Sequence, residues 1–296
     1  MKARVYPMTL ATFYGSQWAI LPEKLDEIES AMLRIVLSRS RDGWKAFDDD
    51  FESIDEPPAR QAGDVAVIPI SGTISPRPSA FSSGGTSAAT VGANIDKAKA
   101  NPAVKNILLD IDSPGGSVFG VEELAGKIRA AAAVKPVHAV ANHMAASAAY
   151  WLGSQATSFA VAPSGQVGSI GVIYRRVDRT ASLAQDGVTV KYVTSGQFKG
   201  EGNPDMPMTD AEVADLQAKS DAYFAKFVDA VAAGRKTTAA HVRSTYGNGR
   251  MYLADEAKAL GMVDRVATFE DVLGELRAKT TRGRMAAAAA VSTRAA

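Results

Sequence analysis

The chain has 296 residues, of which 46% are hydrophobic and 22% charged, and its 33 Lys and Arg nearly balance 32 Asp and Glu. That is the profile of a soluble globular protein with room for one large core or two small ones, and a net charge of +1 gives no electrostatic reason to expect nucleic acid or an anionic membrane as partner. The absence of cysteine excludes disulfides, thiolate metal sites and a Cys nucleophile, and fits a cytoplasmic protein.

Lys2 and Arg4 precede an uncharged stretch from Val5 to Pro22. Tyr14, Gly15, Ser16 and Gln17 interrupt it, and no small-residue cleavage site follows, so neither a secretory signal nor a membrane anchor is expected. Pro22 opens a helix, with Leu25, Ile28, Met32, Ile35 and Val36 at helical spacing. Residues 40–62 are charged and proline-bearing and read as a linker, which makes residues 1–60 an N-terminal extension. A domain over 61–279 then opens on the apolar run Val65 to Ile70, the pattern of a buried strand. Ser75 to Ala89, rich in Ser, Gly and Pro, reads as a long mobile loop.

Helices and strands alternate from there. The expected elements are a helix over Ala93–Ala100, a strand over Lys105–Ile111, a helix over Val118–Ala133 and a strand over Pro136–Ala141. A helix over Ala146–Gln155 and strands over Phe159–Ala162 and Val188–Val193 follow. This alternation predicts an α/β domain with a mostly parallel sheet. Thr209 and Glu212 form a capping box, and the helix they open carries Val213, Leu216, Phe224, Phe227, Val228 and Val231 on one stripe. Helices over Thr238–Tyr246 and Phe269–Lys279 close the domain. The tail 280–296, with five consecutive alanines from Ala286 to Ala290, is too poor in large apolar residues to build a core. Its small residues make it a candidate for self-cleavage.

Three segments can carry chemistry. In Asp112-Ser113-Pro114-Gly115-Gly116-Ser117, a turn between strand and helix aims backbone N–H groups outward at the C-terminal edge of a sheet. Such groups hold an oxyanion or an extended peptide, although the same sequence also makes an ordinary strand–helix turn. In His143-Met144-Ala145-Ala146-Ser147-Ala148, a serine stands at the start of a helix. The adjacent Ala148 N–H can join an oxyanion hole there, or Ser147 can be an N-cap only. In Thr194-Ser195-Gly196-Gln197-Phe198-Lys199-Gly200, Lys199 is either a solvated surface residue or the base that a serine hydroxyl needs. His143 is a rival base, and His138 and His241 leave little material for a metal site.

The order Asp-Ser-Pro-Gly-Gly, Met-Ala-Ala-Ser-Ala-Ala-Tyr, Gly168-Ser169-Ile170-Gly171-Val172 and Ser-Gly-Gln-Phe-Lys-Gly resembles the signal peptide peptidase A family of serine peptidases. Within it, the likeness is to the phage capsid (prohead) maturation proteases of the lambda protein C type. Gly249-Arg250-Met251-Tyr252 and Gly261-Met262-Val263-Asp264 resemble the family's C-terminal signature, and Trp18-Ala19-Ile20-Leu21-Pro22 resembles the N-terminal extension of the phage relatives. The resemblance covers about residues 60–270.

It implies a ClpP/crotonase-like fold of repeated β-β-α units. It further implies peptide-bond hydrolysis through an acyl-enzyme, with Ser147 as nucleophile and Lys199 as general base. Ser169 would orient the lysine amine, and the N–H groups of Gly115, Gly116 and Ala148 would form the oxyanion hole. No metal or other cofactor is implied. The implied setting is a homo-oligomer in the host cytoplasm or an assembling procapsid, acting on scaffold, portal or capsid proteins. A crotonase-like acyl-CoA enzyme and a non-catalytic capsid- or scaffold-associated protein are the competing readings.

Overall fold

The structure is a computed structural model that describes residues 13–14, 16–42, 58–78 and 85–278. The tail 280–296 and most of the expected linker lie outside the described residues. The first strand, β1 (Gln17–Ile20), runs into helix α1 (Pro22–Asp42). Strands β2 (Arg60–Ala62), β3 (Val65–Ser71), β4 (Ile74–Ser75) and β5 (Thr86–Ser87) lead to α2 (Ala88–Ala100). β6 (Asn106–Ser113) and β7 (Gly115–Ser117) precede α3 (Val121–Ala132), and β8 (Val137–Ala146) precedes α4 (Ala148–Gly153). β9 (Ser158–Val161), β10 (Gln166–Gly168) and β11 (Ile173–Tyr174) come before α5 (Thr180–Gln185), α6 (Asp210–Gly234) and α7 (Ala239–Thr245). β12 (Met251–Leu253), α8 (Ala254–Ala259), β13 (Arg265–Val266) and a helical stretch at 269–278 complete the described chain.

The main sheet has the order β12-β10-β8-β6-β3-β2, with β9 paired to β8 and to β13. The pairs β3·β6, β6·β8, β8·β9, β8·β10 and β9·β13 are parallel, and only the edge pairs β2·β3 and β10·β12 are antiparallel. This is an α/β protein with a mostly parallel sheet, of the ClpP-like kind. Buried on both faces, its strands are near-continuous runs of Val, Ile, Leu and Ala. Their alternation divides the core. Ile68, Ile70, Ile107, Leu109, Ile111, Ala139 and Ala141 face the main cluster with α2, α3 and α4. Val65, Val67, Leu108, Val140 and Ala160 face the opposite side, where Phe269, Val272 and Leu276 cover them. Each fully buried Ile, Leu or Val contributes about 1.5–3 kcal/mol relative to exposure.

A second, smaller sheet has the order β11-β1-β7-β4-β5. It places β1, from the stretch that reads as an extension, inside the fold, antiparallel to β7 on one side and to β11 on the other. Ser75–Ala89, which reads as a loop, contributes the end of β4, all of β5 and the start of α2, whose N-cap Ser87 accepts the Thr90 N–H at 3.2 Å. The expected strand Val188–Val193 is not one: these residues are irregular and exposed, and Val193 is fully exposed. Their β-branched composition is that of a strand, but among the described residues no strand pairs with them.

Thr209 caps α6 as expected by accepting the Glu212 N–H at 3.1 Å. The Glu212 side chain turns instead to Arg176, 2.6 Å away. The stripe on α6 is buried only in its second half. Phe227, Val228 and Val231 are in the core, whereas Val213 is 47% exposed. Among the described residues, no helix is long and apolar enough to cross a membrane.

Candidate active site

β6, β8 and β10 end side by side. Ser113 is level with Ala145, and Ala146 with Gly168, so Ser147 and Ser169 occupy equivalent positions just past two neighbouring parallel strands. The site therefore lies at the C-terminal edge of a parallel sheet, where α/β folds place their ligands. Ser147 is 1% exposed and lies at φ 52°, ψ −117°, a left-handed conformation that is costly for a residue with a Cβ. Main-chain bonds impose it: the Ser147 N–H donates to Gly168 O at 2.7 Å, and its carbonyl accepts the Trp151 N–H at 2.9 Å. The result is a sharp strand-to-helix elbow, a geometry that α/β hydrolases use to present a nucleophile. Ser147 is thus no ordinary N-cap, for its side chain makes no capping bond. Its hydroxyl reaches only the Gly171 carbonyl, at 3.5 Å.

The helix behind the elbow is short but firmly seated. Trp151 stacks on Phe227 of α6 with ring centroids 4.7 Å apart, and the Tyr150 hydroxyl donates to Met262 O at 3.0 Å. Burial pushes the Tyr150 hydroxyl well above its ordinary pKa, so it stays a donor at any working pH. Ala148 is fully buried at the first position of α4, where a backbone N–H has no partner within the helix.

The glycine turn stands beside Ser147. Gly115 has φ +99°, and a side chain there would begin 2.2 Å from Ala19 O and 3.0 Å from Ser147 Cβ. At Gly116 a Cβ would begin 2.0 Å from Ile74 O. Only glycine fits at either position. Ser113, which sequence reasoning quoted without giving it a task, locks the turn: its hydroxyl donates to Gly72 O at 2.6 Å and accepts the Gly115 N–H at 3.2 Å. Ser169 is 6% exposed, also left-handed at φ 53°, and its N–H donates to Arg250 O at 2.7 Å. That bond gives Gly249-Arg250-Met251-Tyr252 a physical task, which is to hold the Ser169 turn.

Ser147, Ser169, Gly115, Gly116 and Ala148 are therefore gathered at one place. No bond ties Lys199 to them. It is exposed, on a long arm between β11 and α6, and no hydrogen bond or ion pair joins it to Ser147 or Ser169. The arm is pinned at its base by the Arg176–Glu212 pair, whose side chains are 5% and 4% exposed, and by an Arg179–Asp205 pair. Arg176 also donates to Asn203 O at 2.9 Å. Glu212 sits below the usual carboxylate range: burial pushes it up, but the bonds from Arg176 and the Gly202 N–H outweigh that. His143, the rival base, points away from the elbow. Its Nδ1 is 2.7 Å from an Asp112 carboxylate oxygen on an open surface, and this bond and charge raise its pKa.

Fold and site together define an α/β scaffold with a serine at a strained elbow beside backbone donors. The profile of Peptidase family S49 matches residues 129–281, and the chain belongs to that family. The match spans Ser147, Ser169 and Lys199 and leaves out the glycine turn and β1. The chain is 34% identical to capsid assembly protease C of Escherichia phage lambda over 215 residues, 72% of this chain and 48% of that one. It is 34% identical to the head-tail preconnector protein of Enterobacteria phage P21 over 195 residues, 64% of this chain and 39% of that one. Over 246 residues it is 31% identical to Protease 4 of Salmonella typhi, 79% of this chain and 38% of that one. The chain thus spans half or less of the length of these three relatives.

Proposed function

We propose that this protein is a serine endopeptidase acting on head proteins of an assembling phage particle, with Ser147 as nucleophile and Lys199 as general base. The observation that carries the reading is Ser147 itself: a buried serine held at positive φ, level with Ser169 and beside a glycine turn that admits no side chain. Strain of this kind persists where surrounding structure imposes it and concentrates at working sites. In the reaction, the Ser147 hydroxyl gives its proton to the Lys199 amine and attacks the scissile carbonyl. The N–H groups of Gly116 and Ala148 receive the oxyanion, with Gly115 holding the turn in place. The protonated lysine then gives its proton to the leaving amine, and water attacks the acyl-enzyme by the same route. Ser169 orients the amine.

Lys199 reaches the site from a neighbouring copy. Its exposure supports this, as do the exposed apolar residues Val190, Tyr192, Val193 and Phe198 on the same arm, which form a surface suited to burial between subunits. Head proteins are favoured as substrates because two relatives are a capsid assembly protease and a head-tail preconnector protein. A crotonase-like acyl-CoA reading uses the glycine turn but gives no task to the strained serine. Labelling with a fluorophosphonate, followed by peptide mapping, separates the two: the adduct is expected on Ser147, in assembled protein only. Adduct formation elsewhere, or none in an active preparation, overturns the reading.

A further inference from the structure

The strand β1 lies against the glycine turn beside Ser147. It is extended and antiparallel to β7, with Ile20, Ala19 and Trp18 level with Gly115, Gly116 and Ser117. On its other edge it pairs with β11, which follows the Ser169 turn. β1 thus fills a slot between the two strands that flank the candidate nucleophile.

Its register is specific. The Val118 N–H donates to Gln17 O at 3.2 Å, and the Leu21 N–H donates to Pro114 O at 3.0 Å. In an antiparallel ladder hydrogen-bonded pairs alternate with non-bonded ones, so the pair between these two, Ala19 with Gly116, is a bonded one. The Ala19 carbonyl is therefore directed at the N–H of the glycine turn. The same carbonyl oxygen and the Ser147 Cβ lie 2.2 and 3.0 Å from the single point where a Gly115 side chain would begin. Ala19 is fully buried, and its methyl is the part of β1 that belongs to the main core.

Phe13, Tyr14, Ile20 and Leu25 form their own cluster with Trp18, Ile28 and Met32, apart from the main core. Ion pairs from Arg175, just past β11, to Asp26 and Glu29 hold it to the body, and Ile173 and Val177 pack against it.

We propose that residues 17–21 are a built-in occupant of the peptide groove, with Ala19 in the place of the residue that supplies the scissile carbonyl. A peptide from another protein binds only after this strand leaves. This rests on the reading of Ser147 as the nucleophile for its meaning, but not for its test, which needs no catalysis.

The probe is a fluorescein-labelled peptide with the sequence of residues 16–21, added to full-length Ser147→Ala protein. Hydrogen–deuterium exchange at residues 17–21 is expected to accelerate as the peptide binds, while β3 and β6 stay protected. Ala19→Asp, which puts a charge into a dry pocket when β1 is seated, is expected to bind the peptide at least about tenfold more tightly, because the vacant groove becomes the populated state. Should Ala19→Asp fail to fold, Trp18→Ala weakens the seat without entering the core, and the same direction is expected. Peptide binding with residues 17–21 still protected overturns the proposal, as does absence of binding to every folded variant. Failure of the fluorophosphonate to label Ser147 would instead overturn the catalytic reading and leave displacement standing.

Discussion

Ser147 and Lys199 stand in regions of opposite physical character. The serine side is finished by folding alone. It is buried, its left-handed backbone is imposed by main-chain bonds, and the Trp151–Phe227 stack lies behind it. The arm that carries Lys199 is anchored at its base by the Arg176–Glu212 and Arg179–Asp205 pairs, and beyond that it presents Val190, Tyr192, Val193 and Phe198 to solvent. One half of the proposed machinery is a property of the single chain, and under the proposal the other half is completed by a neighbouring copy. On that proposal, hydrolysis would begin only on assembly.

Substitutions break or sharpen this contrast in graded ways. Ser147→Ala and Lys199→Ala are each expected to cut peptide hydrolysis by at least about 10³-fold. The melting temperature of Lys199→Ala should stay that of wild type, since exposed substitutions shift stability by no more than about 0.5 kcal/mol. Differential scanning calorimetry beside a peptidase assay reads both.

On the finished side, Trp151→Ala is expected to destabilise the fold by about 3–5 kcal/mol, because it removes a large stacked ring from a packed core. Chemical denaturation should show it as a lowered midpoint.

At the base of the arm, Glu212→Ala is expected to cost about 3–5 kcal/mol locally, because it leaves the buried Arg176 charge unpaired. Faster proteolysis within the arm and unchanged exchange in β6 would show that the damage is confined. The same pair gives a pH dependence. The Glu212 carboxyl is held below its unfolded value, so its contribution is complete above about pH 4 and is lost as pH falls through the folded-state value. Acidification should therefore loosen the arm before the sheet, as seen by exchange at matched pH.

The smallest effect on the single chain belongs to Val193→Asp, which is expected to leave its stability within about 0.5 kcal/mol while lowering the assembly state in sedimentation velocity.

The sequence made the two regions unequally legible. The main sheet could be read because its signals are local: apolar runs such as Val65 to Ile70 and the alternation with helices belong to the strands themselves. The elbow, the glycine turn and Ser169 were legible as motifs, and their approach to one another follows from the parallel pairing of β8 with β6 and β10. Val188–Val193 misled, because strand composition expresses what a segment can pair with, and among the described residues no strand pairs with it. The apolar stripe of α6 continues onto Val213, which is 47% exposed, for a related reason: its N-terminal end projects beyond the main core. The place of β1 was illegible because its partners lie about 100 and 155 residues away, a distance that local pattern cannot span. Its one clue was Trp18-Ala19-Ile20-Leu21, an apolar run placed before an N-terminal helix.

The contrast between the two regions is tested most directly by mixing two inactive proteins. Ser147→Ala carries an intact Lys199, and Lys199→Ala carries an intact Ser147. If the amine reaches the serine from an adjacent copy, co-assembly of the two variants restores peptide hydrolysis at sites pairing one protein's serine with the other's lysine. A mixed assembly that stays silent, while wild-type assemblies of the same composition cleave the same peptide, would contradict the account.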